Sequence, residues 1–198
     1  MSHFLPPPVP PWEGLHVLVV HFPIALLLVA PLFVLLATVF PIRAQWASWA
    51  AVALLLLGAT GTFVAIATGD AAQAVADGSD AMYDVLSEHE ELAELTRNVY
   101  VVLTAVYALF VLLPAMMKEL LIRRYLVPVN FVFLVALGAG SLLLANTAHL
   151  GGRLVHEFGV KAVLATAGES AETPAPSEKP QSAPVEPESK PEPPPAEP

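Results

Sequence analysis

Read for polarity alone, the chain divides into four apolar runs joined by short polar connections, then a tail with no apolar periodicity. The runs cover residues 15–40, 46–68, 99–117 and 126–149. At about 1.5 Å of helical rise per residue, each is long enough to cross a hydrocarbon layer roughly 30 Å thick. The pattern predicts an all-α membrane protein, a bundle of four transmembrane helices. Between the second and third runs, "DAMYDVLSEHEELAELTRNVY" changes periodicity: Met82, Val85, Leu86, Leu92, Ala93, Val99, Tyr100 and Leu103 recur at helical spacing, with Asp84, Glu88, Glu91, Glu94 and Asn98 on the other face. The third helix is therefore expected to start near Ala81, as an outer segment over 81–98, and to enter the membrane without a break. His89 falls on its apolar stripe.

Punctuation refines the spans. Pro31 lies within the first, where a missing N–H and ring crowding should bend the helix and free the carbonyl of Leu27. Gly58, Gly61, Ala65 and Gly69 place small residues near one face of the second span, and Gly138, Gly140, Ser141 and Ala145 do so in the fourth, allowing close backbone approach. Trp12, Trp46 and Trp49 read as interface anchors. The expected organisation is a short extramembrane segment over 1–14, a four-helix transmembrane domain over 15–165, and a disordered Pro/Glu-rich tail over 166–198. From Glu169 the tail holds half of the protein's 20 prolines and seven glutamates. Such a composition cannot bury a core and stays extended, reaching on the order of 90 Å at about 3.1 Å per residue.

Composition agrees with a membrane protein, at 56% hydrophobic residues and a mean hydropathy of +0.64. The chain has no cysteine, which excludes disulfides, thiolate metal sites, covalently attached c-type haem and Fe–S clusters as its own properties. A metal must sit on histidine, carboxylate or methionine. The first apolar run is too long for a signal-peptide core and lacks a basic leader, so it is expected to remain as a span. Arg43, Lys118, Arg123 and Arg124 flank one side of the bundle, against Arg97, Arg153 and Lys161 on the other, and no Lys or Arg precedes the first span. This bias puts both termini outward, in the periplasm or outside the cell, for a multi-pass protein of the bacterial inner membrane.

The candidate chemistry lies in the histidines. Apart from His3, they gather at the predicted outer end: His16 and His21 opening the first span, His89 leading into the third, His149 and His156 closing the fourth. Ionisable side chains at membrane depth carry a cost that marks them as candidates for function. Counting rise from the inner helix ends puts His21 at roughly 28 Å, His149 at about 33 Å, His16 at about 36 Å and His89 at about 42 Å. Axial ligands of a b-type haem standing along the membrane normal share a depth. His149 fits with His16 or His21 on that ground, and His89 pairs more easily with His16. His16 and His21 are about 140° apart around the helix, so they do not point at one atom. Neutral imidazoles from facing helices, apolar walls and small residues are what a haem needs. His16, His21, His89 and His149 are therefore the expected haem-iron ligands, pairing open, with His156 secondary. A divalent metal on three histidines with Asp70 or a glutamate ranks below haem, because no tight His-x-x-x-His pair supports it. Transport ranks lowest, since the spans offer only Thr60, Thr62, Thr104 and Ser141 at mid-depth.

"LHVLVVHFPIALL" at 15–27 and "GGRLVHEFGV" at 151–160 resemble the two signature segments, HFPIAL and GGxLVxxxGV, of a bacterial family of four-helix predicted membrane proteins described only as a domain of unknown function. The likeness spans roughly residues 13–163. Members carry a histidine in the approach to the third span, matched by His89, and some are fused to c-type cytochrome modules. The resemblance thus implies a redox setting and b-haem binding. The end departs from the family's Gly-Gly-x-Leu-Val-Tyr-x-His-Gly pattern: His156 takes the Tyr place and Phe158 the His place, so the resemblance transfers a role to His16, His21 and His89 rather than to the last histidine. The expected function is haem-based electron transfer with a quinone, a c-type cytochrome or a respiratory-complex subunit, in contact with membrane lipid and without nucleic acid. The chain is then an electron-transfer component with no catalytic residue of its own, with Asp70, Glu88 or Glu90 as proton acceptors if a quinone is used. The alternative is a non-catalytic structural or assembly subunit whose histidines cap the outer helix ends and whose acidic tail recruits a partner.

Overall fold

The computed structural model of the chain describes residues 9–41, 45–117 and 126–162. The expected acidic tail, the basic inner connections and His3 lie outside them. Every secondary-structure element among the described residues is helical, with no strand: a 3-10 turn Trp12–Gly14, then α1 His16–Val19, α2 His21–Val39, α3 Gln45–Gln73, α4 Asp80–Met117 and α5 Leu126–His156. Four helical stretches are long and apolar enough to cross a membrane: Trp12–Val39, Gln45–Gln73, Asp80–Leu113 and Leu126–His156.

α1 and α2 form one span interrupted at Val20, and Pro23 explains the break. Its nitrogen has no proton to give the carbonyl of Val19, and the next bond, from Ile24 N–H to the Val20 carbonyl, is stretched to 3.4 Å. Pro31 sits inside α2 without ending it. α4 runs as one helix from Asp80, so the outer segment and the third span are continuous, about 57 Å at the helical rise. α3 and α5 extend beyond their apolar cores, to Gln73 and His156.

The helices form a ring in which α2 packs on α3 and α5, and α4 on α5 and α3. Burial follows steps of three and four: Pro23, Leu27, Ala30, Val34 and Ala37 on α2, and Phe133, Leu137, Gly140, Leu144 and Thr147 on α5. That seam is the spacing of knobs-into-holes bundles. Its centre is closed by Leu27, Leu55, Tyr100 and Leu137, none of them exposed. Toward the inner end, Tyr107 meets the edge of Phe133 at 4.9 Å between ring centroids. Outward, every helix presents large apolar side chains, among them Leu32, Phe63, Val102, Val132 and Leu142, the surface a hydrocarbon solvent requires. Beyond the bilayer seam, Met82 and Val85 of α4 pack on Leu150 and Leu154 of α5, and Phe158 and Val160 fold back onto this cluster. That return turns at Gly159, whose φ of 70° suits a residue without Cβ.

Candidate functional site

The outer half of the bundle is not closed. A cavity of about 230 Å³ opens among α1, α3, α4 and α5. Its walls are mostly apolar, with the small residues Ala65, Gly69, Ala93, Ala148 and Gly151 beside Met82, Leu86, Leu144 and Leu154, and with Glu13, Asp70, Glu90 and Lys161 as the charged lining. Two histidines line it, His16 and His89, and each is fixed in the same way.

The His16 ring nitrogen Nδ1 lies 2.9 Å from the carbonyl oxygen of Ala65 on α3. The His89 Nδ1 lies 3.0 Å from the carbonyl oxygen of Thr147 on α5. A carbonyl only accepts, so each Nδ1 carries the proton and donates it. In the neutral ring Nε2 is then left with its lone pair. Both carbonyls lie inside helices, where the N–H four residues on already uses one lone pair, so neither histidine is needed to cap an orphan. Each ring also rests on a glycine. A Cβ built at Gly69 would come within 3.2 Å of His16 Cε1, and one at Gly151 within 3.2 Å of His89 Cε1. Each site is thus an imidazole, a carbonyl that orients it, and a glycine one helical turn further along the same helix. Thr68 and Thr147 add polar support. Thr68 Oγ1 lies 3.4 Å from His16 Nδ1, and Thr147 Oγ1 lies 2.9 Å from Thr96 Oγ1.

The remaining candidates stand elsewhere. His21 is exposed and donates Nδ1–H to the carbonyl of Val17 in its own span, at 2.7 Å. His149 and His156 are exposed, and neither lines the cavity. Of the sequence-predicted set, the fold brings His16 and His89 to one cavity and leaves His21, His149 and His156 outside it. The proposed carboxylates divide similarly: Asp70 and Glu90 line the cavity with Glu13, and Glu88 does not. Lys161 supplies a cation at the same opening. Among the described residues no three His, Asp or Glu side chains gather as a metal site would require, so the three-histidine metal centre has no counterpart there.

Sequence reading missed the role of the two glycines facing the rings. Gly69 had been grouped with the close-packing positions of its helix, and Gly151 stood only as part of a signature segment. The signal that finds them is shared: each lies four residues after a carbonyl that takes a histidine proton.

Residues 13–164, which include all five α-helices, match the predicted membrane protein family DUF2231. The chain belongs to that family. The match covers both histidine-bearing cavity walls and the outer turn through Gly159. No curated protein and no solved structure matches the chain.

Proposed function

We propose that the chain binds a b-type haem in the outer cavity, with His16 and His89 as its two axial ligands, and serves as an electron-transfer component of the membrane. One observation carries the reading: two imidazoles from different hairpins line one apolar cavity, each with Nδ1–H committed to a backbone carbonyl and Nε2 left unprotonated. A histidine ligand of a metal is held in this way, its other nitrogen donating to a carbonyl that fixes ring and tautomer. In support, small apolar residues lie among the lining beside the histidines, and Lys161 at the opening is a cation for a propionate. When bound, the haem supplies one-electron transfer. The chain's residues do the rest. The carbonyls of Ala65 and Thr147 hold the rings. Asp70 and Glu90 stand at the same cavity as proton acceptors, which suits a quinone as the partner, with a c-type cytochrome as the other candidate.

By sequence, the basic residues Arg43, Lys118, Arg123 and Arg124 of the first and third connections favour an outward cavity, on the periplasmic side of a bacterial inner membrane. The structural-subunit alternative asks the histidines to satisfy free helix ends, and the carbonyls that His16 and His89 reach are interior ones.

The test is an absorption spectrum of the full chain, expressed with ample haem and purified in detergent. A b-type Soret band is expected, lost in the His16→Ala/His89→Ala double variant and retained in His21→Ala and His149→Ala. Colourless but folded wild-type protein, or a band unchanged in the double variant, overturns the proposal.

A further inference from the structure

The two histidine sites correspond more widely than their own atoms. A shift of 73 residues carries His16 to His89, Pro23 to Thr96, Leu27 to Tyr100 and Val34 to Tyr107, and the last three pairs are buried on both sides. A shift of 82 residues carries Ala51 to Phe133, Leu55 to Leu137, Gly58 to Gly140, Thr62 to Leu144, Ala65 to Thr147 and Thr68 to Leu150, again buried on both sides. The contacts follow the same two shifts. Gly58 faces Leu27 as Gly140 faces Tyr100, Gly69 faces His16 as Gly151 faces His89, and the Ala65 carbonyl takes the proton of His16 as the Thr147 carbonyl takes that of His89. Shared burial alone is what any helical bundle of this spacing gives. Three equivalent contacts between equivalent positions are a stricter agreement, because each fixes the axial register of one helix against its neighbour. The ring order also allows it. Exchanging α2 with α4 and α3 with α5 leaves every neighbour relation intact.

We infer that the four-helix domain is two copies of one helical hairpin, α1–α3 and α4–α5, related by a two-fold axis along the membrane normal. The cavity lies where the copies meet, and Gly69 and Gly151 are equivalent positioning residues that set the plane of each imidazole. Parallel repeats about such an axis are a known construction for membrane proteins. The inference rests on the haem reading for its ligand and names the ligand's symmetry: a flat group that accepts a nitrogen on each of its two faces, one from each hairpin. An added methyl at either glycine must move the ring it faces by a few tenths of an ångström, and the Nδ1 bond must follow.

The test uses the full chain with haem as the probe. Gly69→Ala and Gly151→Ala should each weaken haem binding by about 10- to 100-fold, the usual effect of disturbing what orients a ligand. They should also change the low-spin electron paramagnetic resonance spectrum. Gly152→Ala, beside Gly151 but with open space around its Cβ, should leave both unchanged. A second readout needs no haem: the imidazole nitrogen resonances of the haem-free protein. Gly69→Ala should shift His16 alone and Gly151→Ala His89 alone, by similar amounts. If either variant folds poorly, combining it with His16→Ala or His89→Ala respectively should restore stability, since the obstructing ring is gone. Equal effects of Gly151→Ala and Gly152→Ala, or a response at only one of the two histidines, overturn the inference. Wild-type protein that takes up no haem defeats the haem reading, and the haem-free resonances then still decide for or against the repeat.

Discussion

The inner and outer halves of this bundle share one helical register and fill it in opposite ways. In the inner half, Leu27, Leu55, Tyr100, Tyr107 and Leu137 are wholly buried, Tyr107 meets Phe133 edge to face, and Phe110 packs tilted against both rings. In the outer half the small residues Ala65, Gly69, Ala93 and Gly151 line the space between the helices, and about 230 Å³ stays open. Polar groups follow the same division. His16 and His89 find carbonyl partners, whereas Asn130 Oδ1, deep in the inner half, has none among the described residues. One half is built to pack, and the other to hold two imidazoles beside a space.

The sharpest way to break this comparison is to remove the imidazoles. The His16→Ala/His89→Ala variant is expected to lose haem binding entirely while keeping its helical content and its unfolding midpoint in detergent. Collapse of the fold would show that the outer half is held together by those rings. Next in size, Gly58→Ala attacks the packed half, since its Cβ would stand 2.6 Å from Leu27 Cδ2, a side chain with no exposed surface. Overpacking of this kind costs about 1–3 kcal/mol. Unfolding in detergent should show it, with the haem band intact at permissive temperature. Gly140→Ala, whose Cβ would meet Tyr100 Cζ at a looser 3.3 Å, should cost less. Part of that cost is offset by helix propensity, about 1 kcal/mol in favour of alanine. Tyr107→Phe removes a buried hydroxyl whose polar neighbour is Ser48 and should change stability by no more than about 1 kcal/mol. A larger loss would contradict this. The smallest effect is expected of His21→Ala and His149→Ala: both rings are exposed, so stability should stay within about 0.5 kcal/mol and the haem band should not move.

The spans and the end of the bundle at which histidines gather were legible from hydropathy and helical rise. Which histidines turn inward was less so. Depth alone favoured His149, but Thr147 and Leu150 occupy the buried seam of α5, and a residue between them at about 100° per step faces away. The buried register was therefore the missing signal, and it could have been drawn from the sequence. His21 is a different case. Its divergence from His16 follows from their spacing, yet which of the two reaches a neighbouring helix depends on where the Ala65 carbonyl and Gly69 lie, and only the folded bundle supplies that. The glycine opposite each ring was invisible for the same reason, since small residues in membrane helices usually serve close packing.

The central claim is that two imidazoles, one from each hairpin, clasp one flat group. Low-temperature electron paramagnetic resonance of the haem-loaded chain tests it most directly. The account predicts a low-spin signal of bis-imidazole type that turns high-spin when either His16 or His89 alone is replaced by alanine. A low-spin signal that persists through both single replacements, or one abolished instead by His21→Ala or His149→Ala, would contradict it.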